Sequence, residues 1–296
     1  MLHVAADLRP LGIGDILDAS IRLYRRCFRV LFAVMAVSYG LMLPALSFTV
    51  ERFVQPVYAL DAADLRTFLH SLTADRSRVV PLVVLFLANL VLVRPLVEGA
   101  VVAAAGQGYL EGPPSFGRAY AAAGRRLGAL VAALTLQILA YLGTVAVALA
   151  IGLALALLSP WLILVAPVLA VAGLALLGLQ FSFVVEAVML EGAGAMAALG
   201  RSRRLARRCY GRITLVYLLG LAATMVLGKI LGVIAGMIAP GSPFVATFGE
   251  MLATLVGLPL AWASFVVLYY DLRVRKEGLD LERLADRVLG DADVPA

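Results

Sequence analysis

Four charged side chains interrupt otherwise apolar runs in the 296-residue sequence: Arg94, Glu98, Glu186 and Lys229. Paired carboxyls in a low-dielectric site can serve as general acid and base, and Glu98 with Glu186 is the pairing that the sequence offers for such work. Arg94 and Glu98 stand four residues apart, a spacing that lets them meet on one helix face as a self-neutralised pair. Lys229 has an equivalent candidate partner in Glu250 across a short turn. An arginine or lysine left facing lipid at mid-helix would cost about 2.5–3.5 kcal/mol. All four side chains are therefore expected to face protein, water or an interface, with structural pairing preferred over a transport site.

Other chemistry is sparse. The histidines are His3 and His70 and the cysteines Cys27 and Cys209. No H-E-x-x-H, C-x-x-C, phosphate-cradling P-loop or G-x-S-x-G motif occurs. Gly106-Gln107-Gly108 lacks the preceding strand that a dinucleotide fingerprint needs. The expectation is no catalytic residue, no metal site and no cofactor, and both cysteines are expected as reduced thiols on the cytoplasmic side.

The elements that must position these groups follow from composition. The hydrophobic fraction is 62%, the charged fraction 15% and the mean hydropathy +0.97, whereas soluble domains are near 45–50% apolar and 25% charged. Both a soluble single domain and intrinsic disorder are excluded, and nothing points to nucleic acid. The early aspartates Asp7, Asp15 and Asp18 argue against a cleavable signal peptide.

Crossing a bilayer core about 30 Å thick takes roughly 20 apolar residues in a helix. Six runs qualify: 29–50, 79–104, 127–158, 161–190, 213–238 and 247–270. The fold expected is all-α and polytopic, one transmembrane domain over 1–290 with a short cytoplasmic tail, 291–296. Ser159-Pro160 and Pro240-Gly241-Ser242-Pro243 read as tight turns between runs three and four and between five and six. Of 25 Lys and Arg, nineteen lie in 1–29, 106–126, 191–212 and the tail. Arg52, Arg66, Arg76 and Arg78 sit on the opposite side, in the 51–78 loop. The positive-inside rule then places both termini in the cytoplasm.

The basic stretches before runs one, three and five read as short amphipathic interfacial helices. Ser20-Ile21-Arg22-Leu23-Tyr24-Arg25-Arg26-Cys27-Phe28 matches Ser202-Arg203-Arg204-Leu205-Ala206-Arg207-Arg208-Cys209-Tyr210 as S-x-R-L-x-R-R-C-aromatic. A fainter copy over Tyr120 to Leu130 carries Arg125-Arg126. Val97-Glu98 is echoed by Val185-Glu186, and Ser182-Phe183-Val184-Val185 by Ser264-Phe265-Val266-Val267. Three units of amphipathic helix, span and span follow, over 14–104, 112–190 and 194–272, alongside the alternative of chance similarity. Arg25, Arg26, Arg125, Arg126, Arg203, Arg204, Arg207 and Arg208 are the expected anionic-lipid contacts. The inner-end acids Glu98 and Glu186 lie within an arginine's reach of these stretches, so they are expected to tie them to the bundle. Gly220, Thr224, Gly228, Gly232 and Gly236 form a small-residue stripe for close helix packing, inside the bundle in preference to a dimer.

Leu8-Arg9-Pro10-Leu11 through Ile13-Gly14-Asp15-Ile16-Leu17-Asp18, followed by Arg22-Leu23-Tyr24-Arg25-Arg26, resembles the entry motif of bacterial six-span proteins grouped with the membrane domain of glycerophosphoryl diester phosphodiesterase. Glu191-Gly192 with Ala197-Ala198-Leu199 and Arg201-Ser202 is similar to the group's middle motif. Tyr269-Tyr270-Asp271-Leu272-Arg273 through Leu281-Glu282 is similar to its closing one. The resemblance covers nearly the whole chain and implies the fold and the bacterial plasma membrane. It implies no chemistry, and the early histidine and paired acids of the phosphodiesterase domain are not found here.

Three function classes stay open. The leading one is a non-catalytic scaffold or accessory protein that engages anionic lipids and a membrane or cytoplasmic partner. The second is a transporter or lipid-translocating protein with a path along the repeat axis, and the third a membrane-bound lipid enzyme.

Overall fold

The computed structural model describes residues 10–49, 84, 87–238 and 243–279. All elements among them are helical: α1 (Ile13–Thr49), α2 (Arg94–Leu110) entered through a π-helical turn at Asn89–Val93, α3 (Phe116–Arg125), α4 (Leu127–Ala156), a 3₁₀ turn at Pro160–Leu164, α5 (Val165–Gln180), α6 (Val184–Glu191), α7 (Ala195–Ala206), α8 (Tyr210–Ile238) and α9 (Pro243–Glu277). The 51–78 loop, His3, His70, the Glu250 side chain, the centre of the Pro240–Pro243 turn and the tail beyond 279 lie outside the described residues.

Among the described residues, five stretches are long and apolar enough to cross a membrane: Asn89–Leu110, Leu127–Ala156, Pro160–Glu191, Tyr210–Ile238 and Leu252–Glu277. They carry the second to sixth of the expected runs, in keeping with a multi-pass membrane protein. The first run, 29–50, is carried on α1.

Four boundaries differ from the sequence reading. The first basic stretch is not a separate short helix, because α1 continues unbroken from Ile13 to Thr49. Its buried stripe of Ile16, Ser20, Leu23, Cys27, Leu31 and Val34 keeps helical spacing throughout, so nothing stops the helix at residue 28. The other two basic helices are separate: α3 is parted from α4 at Arg126 (φ −109°, ψ 9°), and α7 from α8 where Arg208 takes φ +66°. Run 161–190 is broken at Phe181–Phe183 into α5 and α6. Finally α2 extends to Leu110 and α9 to Glu277, past the expected ends at 104 and 270.

Packing is close where small residues permit it. Antiparallel α8 and α9 mesh Gly220 against Ala261, Thr224 against Gly257 and Gly228 against Ala253. A Cβ added at Gly257 would lie 2.9 Å from Thr224 Cγ2. The stripe thus packs inside the bundle along 220–228, while Gly236 meets nothing within 4 Å. On α2, a Cβ at Gly108 would come within 2.2 Å of Cys27 Sγ, so α1 crosses α2 in near-backbone contact there. α1 runs antiparallel along α9, with Leu11 beside Asp271 and the Tyr24 hydroxyl on the Val256 carbonyl.

The buried core lies toward the basic ends of the helices, in Val97–Ala105, Phe183–Met189 and Val266–Tyr270. At the far ends Leu157, Trp161 and Ile238 are 89%, 80% and 76% exposed, the arrangement expected where lipid is the solvent. A glutamate followed by a left-handed glycine closes or follows α2, α6 and α9: Glu111-Gly112 (φ +124°), Glu191-Gly192 (φ +75°) and Glu277-Gly278 (φ +66°). At Gly192 the helix ends with the 5→1 bond of an αL cap, Gly192 N–H donating to Val188 O, and Ala193 N–H donates to Ala187 O.

Candidate functional site

The break between α5 and α6 is repaired from another helix. The buried Ser202 hydroxyl on α7 accepts from Phe183 N–H (3.0 Å) and donates to Gln180 O (2.8 Å). One side chain so satisfies a donor and an acceptor that the missing turn would otherwise leave unpaired. The break places Glu186 in the first turn of α6, fully buried. Neither of its carboxyl oxygens has a hydrogen-bond partner.

Glu98 on α2 lies near enough for its charge to act on Glu186. The helices touch one residue further on, where a Cβ at Gly99 would meet Met189 Sδ at 3.3 Å. Arg94 Nε donates to Glu98 Oε1 at 2.7 Å within the same helix face. Arg94 is half-exposed while the Glu98 side chain is 10% exposed, so the ion pair leads from the bundle interior toward its surface. Lys229 stands exposed on α8.

The expected ties from Glu98 and Glu186 to the basic helices are not what the bundle uses. Glu186 meets no arginine, and Glu98 takes one from its own helix. The ties run through acids nearer the helix ends. Arg201 of α7 bridges Glu191 (Nε to Oε2, 2.7 Å) and Glu277. Arg273 approaches the same two acids at 3.3 and 3.2 Å, and the Tyr269 hydroxyl donates to Glu191. These bonds hold the Arg201 guanidinium firmly in its charged form, Glu277 contributing most. A second latch centres on Asp271, whose side chain is fully buried. It accepts from Leu11 N–H (2.7 Å), Arg212 Nη1 (2.9 Å) and Arg275 Nε (3.0 Å), and both arginines also donate to Leu11 O.

Two more cations cap helix ends. Arg126 Nη1 donates to Val188 O at the end of α6. Lys276 Nζ donates to Leu205 O and Arg207 O at the end of α7, each at 2.7 Å.

Two sets of basic residues stand out at this end of the bundle. Arg126, Arg201, Arg212, Arg273, Arg275 and Lys276 are committed to carboxylates or helix-end carbonyls. Arg22, Arg25, Arg26, Arg29, Arg125, Arg203, Arg204, Arg207 and Arg208 are all exposed, and their side chains make no hydrogen bond or ion pair among the described residues.

Sequence reasoning missed Ser202, Asp271, Arg212 and the Arg201 network as working residues. A signal for the network was available: Glu-Gly recurs at 111–112, 191–192 and 277–278, after the second span of each suggested unit. Gln180 in an apolar run was a further sign of irregular backbone. No family model, curated protein or solved structure matches this chain.

Proposed function

We propose that this protein is a non-catalytic scaffold or accessory protein of the bacterial plasma membrane that holds anionic lipid headgroups on its cytoplasmic face. The observation that carries this reading is the set of nine exposed arginines whose side chains have no hydrogen-bond or ion-pair partner among the described residues, while their neighbours are committed. An arginine near an anionic leaflet gains on the order of 1 kcal/mol from lipid phosphates, screened within a Debye length.

Six spans with both termini inside belong to the same reading, the first span being the later part of α1. So does a three-fold repeat. In the matched stretches 20–28 and 202–210, Ser20 is buried as Ser202 is and Leu23 as Leu205 is, and the three matched arginine pairs are exposed in both. Arg26 lies beside Gly112 as Arg126 lies beside Gly192. The resemblance to the membrane domain of glycerophosphoryl diester phosphodiesterase supports the membrane assignment and supplies no activity.

Native mass spectrometry of protein extracted from mixed bilayers tests the lipid claim. Phosphatidylglycerol or cardiolipin should be enriched over phosphatidylethanolamine. Changing Arg203, Arg204, Arg207 and Arg208 to glutamate should abolish that enrichment while the helical circular dichroism is kept. Equal retention of neutral lipid by wild type and variant would overturn the reading.

A transporter is the second reading. It is favoured by one observation, the broken span that leaves Glu186 buried at its lower half.

A further inference from the structure

Among the described residues, the buried side-chain atoms without a hydrogen-bond partner are Glu186 Oε1, Glu186 Oε2 and Gln107 Oε1. All three are acceptors. What the interior lacks at Glu186 is therefore a donor.

The charged groups on the elements around α6 do not provide one. From α2 come Glu98 and Arg94, bonded to each other. At the start of α4, Arg126 is bonded to the Val188 carbonyl. From α7 come Arg201, bonded to Glu191 and Glu277, and the Ser202 hydroxyl, whose hydrogen goes to Gln180 O. The neighbours of Glu186 within α6 are Val184, Val185, Ala187, Val188 and Met189, all buried and apolar.

An ionised carboxylate enclosed in this way, with a second carboxylate in range, needs a positive partner. A metal cation would require several further oxygen ligands, and among the described residues no group of three or more His, Cys, Asp or Glu side chains comes together to hold one. A proton needs no cavity and no ligand beyond the carboxyl group. Glu98 marks the way out, because its side chain is 10% exposed and leads to half-exposed Arg94.

We propose that Glu186 is a proton-binding site of the bundle, loaded and unloaded by way of Glu98. The bound proton is held on a Glu186 oxygen. It leaves by transfer to the Glu98 carboxylate as the Arg94 bond opens, and from there passes to water, with no net electron transfer.

Infrared spectroscopy on the full chain in lipid vesicles tests both halves. The carbonyl stretch of a protonated carboxylic acid lies apart from the carboxylate bands and moves down on deuteration. At neutral pH the wild type should show it, Glu186→Gln should lose it, and Glu98→Gln should keep it. On transfer to deuterated buffer the downshift should be slower in Glu98→Gln than in wild type by a factor on the order of 10², the size of a typical general acid–base contribution. Glutamine matches the shape of a protonated glutamate, so Glu186→Gln should fold. An acid band that is absent from wild type, or that survives in Glu186→Gln, overturns the site. Equal exchange rates in wild type and Glu98→Gln overturn the route. Neither outcome depends on which lipids the arginines prefer.

Discussion

At the residue scale, Asp271 shows how one buried carboxylate fixes the beginning of the chain to its end. It accepts the Leu11 amide, and its two arginine partners take the Leu11 carbonyl, so both backbone groups of one residue are held by a single cluster. Removing one partner of a fully buried ion pair costs about 3–5 kcal/mol. Arg212 and Arg275 are 20% and 36% exposed, and water recovers part of that loss, leaving about 2 kcal/mol for Asp271→Ala. Asp271→Asn keeps an acceptor for the Leu11 amide and should fall between. Thermal unfolding in detergent should therefore rank wild type above Asp271→Asn above Asp271→Ala, and a melt unchanged in the alanine variant would count the latch as decoration. No spacing rule could have drawn this cluster, whose members are separated by 59 and 260 residues. Arg94 and Glu98 were readable because helical geometry alone brings residues four apart together.

At the element scale, what was legible was what hydropathy controls. α4, α8 and α9 begin and end near residues that change the solvent preference of the chain. α1 kept going where a boundary was expected because its buried stripe never loses period, so apolar patterning overrode the run of arginines. The α5–α6 break was legible only as the hint of Gln180 in an apolar run, since its stability comes from a hydroxyl on α7 and not from any breaker in Phe181-Ser182-Phe183 itself. The α1–α2 crossing is the tightest point between elements and yields a paired test. Gly108→Ala would place a methyl 2.2 Å from Cys27 Sγ, and overpacking of this kind costs about 1–3 kcal/mol. Cys27→Ala removes the obstructing sulfur. The double variant should recover most of the stability lost in Gly108→Ala, a non-additivity that thermal melts of the four proteins would measure. Strict additivity would mean that the two helices do not meet at this residue pair.

At the scale of the whole molecule, burial and charge divide the bundle along its length. The core and the ionic latches sit toward the basic ends of the helices, whereas the other ends of α4, α5 and α8 present leucine, isoleucine and valine outward. Such a molecule is ordered by its interfacial half and solvated by lipid over the rest. The proposed orientation, argued from the nineteen-to-four distribution of cations, turns the basic half toward the cytoplasm. Labelling of single cysteines in intact cells tests this, and the native thiols permit a clean background. Cys27 is 1% exposed, and burial pushes its thiol up to about 11 against the opposing pull of Arg26, so it stays protonated and unreactive at neutral pH. Cys209, only partly buried, is removed as Cys209→Ser. In that background Leu65→Cys should react with a membrane-impermeant maleimide added from outside. Ala121→Cys and Arg203→Cys, both at exposed positions at the basic end, should react only after the membrane is opened. The opposite pattern would invert the molecule and put its exposed arginines on the wrong leaflet for anionic lipid, taking the proposed function with it.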